Sequence, residues 1–390
     1  MDDVIVVGAG VVGCSIARSL SRWNLNVRVL EAGSDVAEGA SKANSAIVHA
    51  GFDAKPGTNK AKFNVLGNAM FEETCRELKV PFRRNGSLVL AFNDEEKAAL
   101  GDLVAKAAKN GVPVEIISQD ELRRREPNVS PEAVAALWAP TGGICCPYEL
   151  TFRTAENAAA NGVVFTFDAK VTGVARVEQQ KALDKKDAGW RVTCADGRVF
   201  EAKSVVNAAG IHSDELNNLV SATKYNIEAR RGEYLMLDKD EDGTFAATMF
   251  QVPSKMGKGI LVSPTVDGTV IVGPTAEDIP DKEDKATTYE GLEKVKAGAR
   301  RTYPNLPLGK VITEFSGLRA HETTVGDFIS ARRRTRRASS MPSASSRLAS
   351  PPRPRSATGW RSASPRSSAS RARTPRSSRR TSAGGRRRAR

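Results

Sequence analysis

VIVVGAGVVGCSIARSLSRWNLNVRVLE, residues 4–31, is the stretch on which the fold turns. It opens within the short apolar run 3–7, which ends in Gly8 and predicts a buried strand of a parallel sheet. Gly8-Ala9-Gly10-Val11-Val12-Gly13 follows, and a helical pattern carrying Val12, Ile16, Ala17, Leu20 and Trp23 comes after it. A second apolar run, residues 27–30, ends at Glu31, 18 positions beyond Gly13. A bare G-x-G-x-x-G is a weak signal; between a strand and a helix, with an acidic residue closing the next strand, it specifies a dinucleotide-binding unit. Gly8 permits the tight turn, and Gly10 lets a pyrophosphate approach the helix N-terminus, where unpaired N–H groups favour anions. Gly13 lets the helix pack close to the strand. Glu31 suits ribose hydroxyls and repels a 2′-phosphate, which argues against NADP; the fingerprint does not choose between NAD and FAD.

Further along, helical spacing predicts helices over 60–78, 94–109, 149–161 and 289–303. Strands are expected over 86–92, 163–167 and 171–177, with a hairpin over 189–200 turning at Asp196-Gly197. Another buried strand, 204–207, stops in Ala208-Ala209-Gly210, small residues beside which a ligand can lie close. From 232 to 274 the pattern turns antiparallel, with short strands at 234–237, 260–263 and 270–272. The fold class is α/β: a Rossmann-like domain interrupted by a mixed α+β substrate domain built on an antiparallel sheet. The expected division is 1–80, 145–225 and 311–330 for the dinucleotide, 81–144 and 226–310 for the substrate, and 331–390 as a low-complexity tail.

The 390 residues carry a net charge of +14, which suggests nucleic acid or an anionic surface as partner. The suggestion fails on inspection. Residues 331–390 hold 19 Arg and no Lys, Asp or Glu, so removing them leaves residues 1–330 at −5. Nucleic acid is therefore not an expected partner of the body, and a tail with Trp360 as its one aromatic residue offers little for base stacking. The five Cys show no metal-ligand spacing, and no metal site is expected. Adjacent Cys145 and Cys146 suit an ordinary disulfide poorly, and an odd count without a signal peptide points to reduced thiols in the cytoplasm. No apolar run is long enough to span a membrane, and no G-x-S-x-G, H-E-x-x-H or Walker A pattern occurs.

The N-terminal fingerprint with Glu31, then Ser41-Lys42-Ala43-Asn44-Ser45-Ala46-Ile47-Val48-His49-Ala50-Gly51, VVNAAG (205–210) and GLRAHE (317–322) resemble the D-amino-acid-oxidase-like FAD-dependent oxidoreductases. Within them the chain is similar to the anaerobic-type glycerol-3-phosphate dehydrogenases and the L-2-hydroxyglutarate oxidases, nearly continuously over 2–329. The resemblance implies FAD held by Gly8, Gly10, Gly13, Glu31, Ser41, Asn44, Ser45, Ala209 and Gly210. It implies oxidation of the secondary alcohol of a small anion, glycerol 3-phosphate before a 2-hydroxy acid, with hydride passing to the flavin. His49, in the stretch that runs past the flavin in the family, is the first candidate for the base, and His321 is a candidate for the same cavity. Arg319 matches the family's Gly-x-Arg, whose guanidinium holds the substrate anion, and Arg231 is a second anion candidate. Lys258 reads as a solvated loop residue and His212 as structural. Electrons are expected to leave to a protein or quinone acceptor, from a cytoplasmic enzyme or one peripheral to the inner membrane face.

Residues 331–390 read as a disordered Arg/Ser-rich tail, or as the product of a shifted reading frame. One codon choice for residues 338–352, ASSMPSASSRLASPP, gives GFFNAVGIESPGLTA when read one nucleotide earlier. The family closes its flavin site with a Gly-Ile-Glu-Ser-Pro-Gly-Leu stretch of this kind. Residues 331–337 and 353–364 shift likewise to EAPDAPG and PATLGDWVAERV, a polar turn and a helix. A single-nucleotide slip near codons 329–331 is the expectation, and with it weak FAD binding and low solubility.

Overall fold

Strand Asp2–Val7 lies inside its sheet, as its apolar run requires, with parallel partners on both sides. A computed structural model describes residues 1–177, 189–239, 245–253, 259–334 and 340–344, with the backbone alone beyond 330. The sheet around that strand runs Val171–Val177, Gly189–Cys194, Val199–Asn207, Asp2–Val7, Val27–Leu30, Val164–Thr166. Its Rossmann part is parallel, and an antiparallel hairpin extends one side. Helices Val11–Leu20 and Pro147–Ala160 supply Cys14, Ala17, Ala155 and Ala158 to the apolar layer that covers it, small residues that let the helices lie close.

A second sheet of nine strands forms the other wall. Its order is Glu277–Ile279, Ile227–Leu237, Val270–Gly273, Leu261–Pro264, Thr248–Gln251, Ser87–Ala91, Ala135–Ala139, Glu115–Ser118, and Val311–Glu322 pairs with Ile227–Leu237 along its free side. All its pairs are antiparallel except Thr248–Gln251 with Ser87–Ala91. Helix Asp94–Asn110 packs against this sheet through Leu100, Leu103 and Ala107. Asn93 caps its start, three acidic residues fill its first turn, and Gly111 ends it at φ 72°. A three-stranded sheet of Ile47–Val48, Gly143–Cys145 and Phe82–Arg83 joins segments from both expected domains.

Three expectations are corrected. Residues 311–322, assigned to the dinucleotide-binding domain, lie in the nine-stranded sheet, because Val311–Glu322 pairs residue by residue with Ile227–Leu237. The hairpin arm and the buried strand expected separately at 189–200 and 204–207 share one continuous strand, Val199–Asn207. The tail is not structureless from its start: Ser330–Arg334 and Ser340–Ala344 form an antiparallel pair, and Ser343 pairs in parallel with Asn207. The reason lies in strand Val199–Asn207, whose first half is taken by Gly189–Cys194 while peptide groups further along still require partners. Residues 335–339 and 345–390 lie outside the described residues. Among the described residues no helix is long and apolar enough to cross a membrane.

Candidate active site

The glycine turn is built as its sequence demands. Gly8 adopts φ 101°, and a Cβ there would sit 2.5 Å from the Ala208 carbonyl oxygen; one on Gly13 would overlap the Gly8 carbonyl. Two strands and a helix therefore converge at a spacing only glycine allows. Helix Val11–Leu20 begins at Gly10 with no acidic residue in its first turn, which leaves the positive end of its dipole to a ligand anion. Glu31 is half-buried and accepts from the backbone N–H groups of Ala9 (2.6 Å) and Gly33 (2.9 Å). Carboxylate oxygens have lone pairs beyond these two bonds for ribose hydroxyls. Ala209 and Gly210 form the turn after Val199–Asn207, held by Asn207, which accepts from Ala209 N and donates to Ser213 O. His212 is bracketed by the surface carboxylates of Glu215 (2.9 Å) and Glu283 (3.2 Å).

The segment after Glu31 returns across this turn. The Ser41 hydroxyl accepts from Val11 N at 2.9 Å, tying the segment to the helix start. Asn44 spends its amide locally, donating to the Ala40 and Ser41 carbonyls and accepting from Ala46 N, and so supports Ala46 at φ 59°. Ser45 lies 3.0 Å from the Tyr234 hydroxyl on the nine-stranded sheet. Burial pushes the Tyr234 phenol up, opposed by the Ser45 bond and the Arg319 charge, so the phenol is neutral. Gly317 completes the junction: a Cβ there would run into the Ala43 carbonyl and sit 3.1 Å from Ala43 Cβ. The sheet and the Ser41–Ala46 backbone thus meet where one strand position lacks a side chain.

His49 follows strand Ile47–Val48. Its carbonyl accepts from Asn68 Nδ2 at 3.0 Å, and Asn68 is itself held by Arg84, so the His49 backbone is fixed by a buried amide. Its ring lies 5.9 Å from Phe250 of the nine-stranded sheet. Ala50, Phe52, Tyr234 and Phe250 share one core, with Ile47 and Phe315 packed on it.

Strand alternation decides which cations share this face. Opposite residues of an antiparallel pair point the same way, so Arg230 and Arg319, Gly232 and Gly317, and Tyr234 and Phe315 form one row. Arg319 is exposed there and in line with the residues that meet the Ser41–Ala46 segment. Arg231 points to the other face. It is buried, at 3.0 Å from both Glu277 and Asp284 and 3.5 Å from the fully buried Glu233. The expectation of Arg231 as an anion-binding residue is corrected: it is a core cation neutralised by carboxylates on the opposite face from Arg319. The residue that shares Arg319's face is Arg230, which sequence reasoning passed over; the two-residue period counted from Tyr234 picks it out.

His321 opposes Glu228, with Nδ1 3.6 Å from Asp278. Glu228, Asp278 and His321 offer ligand atoms within 4.8 Å of one another, a metal-capable grouping absent from the sequence reading. Asp278, however, already holds Arg230 through two 2.7 Å bonds, and the Arg230 guanidinium keeps its carboxyl below the ordinary range. All five Cys are free and buried; burial pushes Cys14 and Cys145 up to about 12 and Cys75 to about 11, so none is a thiolate nucleophile. Lys258 lies outside the described residues.

A dinucleotide cradle on one sheet, facing an arginine-bearing wall on another, defines a two-sheet dinucleotide-dependent oxidoreductase. The chain belongs to the FAD dependent oxidoreductase family, whose model matches residues 3–339. It is 48% identical over 330 residues to a glycerol 3-phosphate dehydrogenase of Caloramator mitchellensis, covering 84% of this chain and 66%, just under two thirds, of that protein. It is 28% identical over 282 residues to human mitochondrial L-2-hydroxyglutarate dehydrogenase, covering 70% of this chain and 60% of that one. Among solved structures it is similar to an L-alpha-glycerophosphate oxidase of Mycoplasma pneumoniae with FAD bound, at TM-score 0.80 and 29% identity, covering 88% and 89% of the two chains. FAD is the cofactor of the family, and the glycine cradle, the helix start without an acidic residue and the half-buried Glu31 fit its pyrophosphate and ribose.

Proposed function

We propose that this chain oxidises the secondary alcohol of glycerol 3-phosphate to the corresponding ketone. The observation that carries the reading is the Gly317–Ala43 contact, because it brings the strand bearing Arg319 against the segment that leads to His49. The relatives named for glycerol phosphate support this substrate over L-2-hydroxyglutarate, the second reading. FAD, when bound, supplies the acceptor for the hydride that leaves the alcohol carbon. Arg319 holds the substrate anion, its planar donor fork matched to phosphate. His49 takes the hydroxyl proton, and the neutral Tyr234 and the Phe250 and Phe315 rings keep that side of the site apolar. His321 borders the anion end.

Ser41, Asn44 and Ser45 belong to the cofactor segment, with Ser41 and Asn44 acting through its backbone shape. Segments 1–80 and 145–225 carry the dinucleotide; 81–144 and 226–322 carry the substrate. A protein or quinone acceptor, reached from the cytoplasm or at a membrane face, is part of the same proposal. Dye reduction with glycerol 3-phosphate against L-2-hydroxyglutarate tests the substrate, and a preference for the latter overturns it. His49→Gln is expected to lower the rate by roughly 10²–10⁴-fold with substrate affinity retained; an unchanged rate removes His49 as the base.

A shifted frame from about residue 330 belongs to this proposal. The altered residues fall where Ser340–Ala344 lies beside Asn207, at the end of the dinucleotide sheet, so FAD retention suffers first. The nucleotide sequence tests it: a frame encoding no GIESPGL-like stretch there removes the idea. This chain purifying with stoichiometric flavin removes the expectation of weak FAD binding.

A further inference from the structure

Arg230 and Arg319 face each other across the pair Ile227–Leu237 and Val311–Glu322. Two like charges directly opposite on one sheet face destabilise it, so the arrangement needs a reason. Asp278, registered beside Arg230 on the neighbouring strand, supplies partial compensation through bonds of 2.7 Å to Nε and Nη2. Those two bonds fix the Arg230 guanidinium, and among the described residues its Nη1 makes no hydrogen bond. Arg319 is exposed and, among the described residues, makes no hydrogen bond or ion pair. The next position along the face is Gly232 opposite Gly317, where the Pro274 ring packs against Gly232 and the Ala43 backbone against Gly317.

We infer that Arg230 and Arg319 together form a two-guanidinium seat for a doubly charged anion, a phosphate monoester, with Asp278 as the positioning residue that holds Arg230. This rests on the glycerol 3-phosphate reading and deepens it: Arg230 determines preference for a phosphate over a carboxylate of similar size. Arg319 alone suffices for a single negative charge. The second guanidinium is repaid when the ligand carries a second charge and a third oxygen.

The test is calorimetric titration of the full chain with glycerol 3-phosphate, inorganic phosphate and L-lactate, wild type against Arg230→Met, Arg319→Met and the double variant Arg230→Met/Asp278→Asn. Steady-state KM values with the two organic substrates run alongside. Arg230→Met is expected to weaken both phosphate ligands about tenfold or more while L-lactate binding stays within about threefold. Arg319→Met is expected to weaken all three. The double variant removes the charge left by losing Arg230 and guards against misfolding; it should melt near wild type and still show the selective phosphate loss. A phosphate preference that survives both Arg230 variants overturns the seat and leaves the substrate reading standing. A wild-type chain with no preference for phosphate overturns both.

Discussion

Replacing Gly317 by Ala adds one methyl group at the junction of the two walls. The new Cβ would lie 3.0 Å from the Ala43 carbonyl carbon, 3.1 Å from its Cβ, and inside the van der Waals shell of its oxygen. All three neighbours belong to the backbone or to a residue with no rotamer to change, so the strain cannot be relieved by turning a side chain. Gly317 is held mid-strand, with Leu318, Arg319, Phe315 and Ser316 all registered against Ile227–Leu237. The Ser41–Ala46 segment therefore has to retreat, by on the order of 1 Å for ordinary carbon–oxygen contact. Overpacking of this kind costs about 1–3 kcal/mol, and a 1 Å misplacement of a reacting constellation costs about 10²-fold in rate. Gly317→Ala should thus lower the melting temperature, weaken FAD binding through Ser41, and reduce kcat/KM with glycerol 3-phosphate by about 10²-fold. Gly101, exposed in helix Asp94–Asn110 with nothing within 4 Å of its Cβ position, is the control; Gly101→Ala should stabilise by about 0.5–1 kcal/mol. Thermal melts, flavin fluorescence and dye reduction on the two variants in parallel decide the matter. A Gly317→Ala protein that melts, binds flavin and turns over like wild type refutes the claim that this contact aligns the site.

Arg231, beside Gly317's strand partner Gly232, and Arg319, two positions along from Gly317, separate stability from binding. Arg231→Met leaves the buried Glu233 without its guanidinium and should cost about 3–5 kcal/mol, read as a fall in melting temperature. Arg319→Met should leave melting near wild type and raise KM roughly 10- to 150-fold, the worth of a charged hydrogen bond; the opposite pattern would reverse the assignment of faces. Acid titration probes Asp278, whose carboxyl the Arg230 guanidinium holds below its ordinary 3.8. The folded state binds that proton less readily than the unfolded chain, so the pair's stabilisation is complete above 3.8 and is lost as pH falls through the folded value. Melting curves of wild type and Asp278→Asn should therefore converge in acid and separate toward neutrality; a constant separation contradicts the ion pair.

Much of the fold was legible because its signals are local. An apolar run, a glycine turn, a helical stripe and Glu31 lie within the first 31 residues, and the approaches of Gly8 to Ala208 and of Gly13 to Gly8 are ones that only glycine permits. Helices with caps and acidic first turns, such as Asp94–Asn110, stand where their periodicity put them. Strand Val311–Glu322 escaped because it does not alternate cleanly. Ile312, Thr313 and Glu314 are exposed in succession, and the strand's membership in the nine-stranded sheet comes from pairing with residues some eighty positions earlier. Composition carries no record of such a partner, so 311–322 drifted to the wrong domain.

The site divides along the same line. Residues placed by a turn, Gly8, Gly10, Gly13 and Glu31, could be located singly; residues placed by a strand face could not. Arg230 and Arg231 are adjacent, share a charge and differ in nothing a composition window detects, yet a one-residue step in a strand exchanges the face that carries Arg319 for the core. The information to choose between them was present in Tyr234: a large aromatic residue four positions on from Arg230 and three from Arg231 shares its face only with the former. Using it required knowing that Tyr234 meets Ser45, a contact spanning 189 residues. The same reasoning accounts for the join at residue 330. A tail without acidic residues looks like a separate module, but the dinucleotide sheet ends at a strand whose far half needs a partner, and Ser340–Ala344 lies beside it at Asn207. The demand comes from the sheet and is set by residues 199–207.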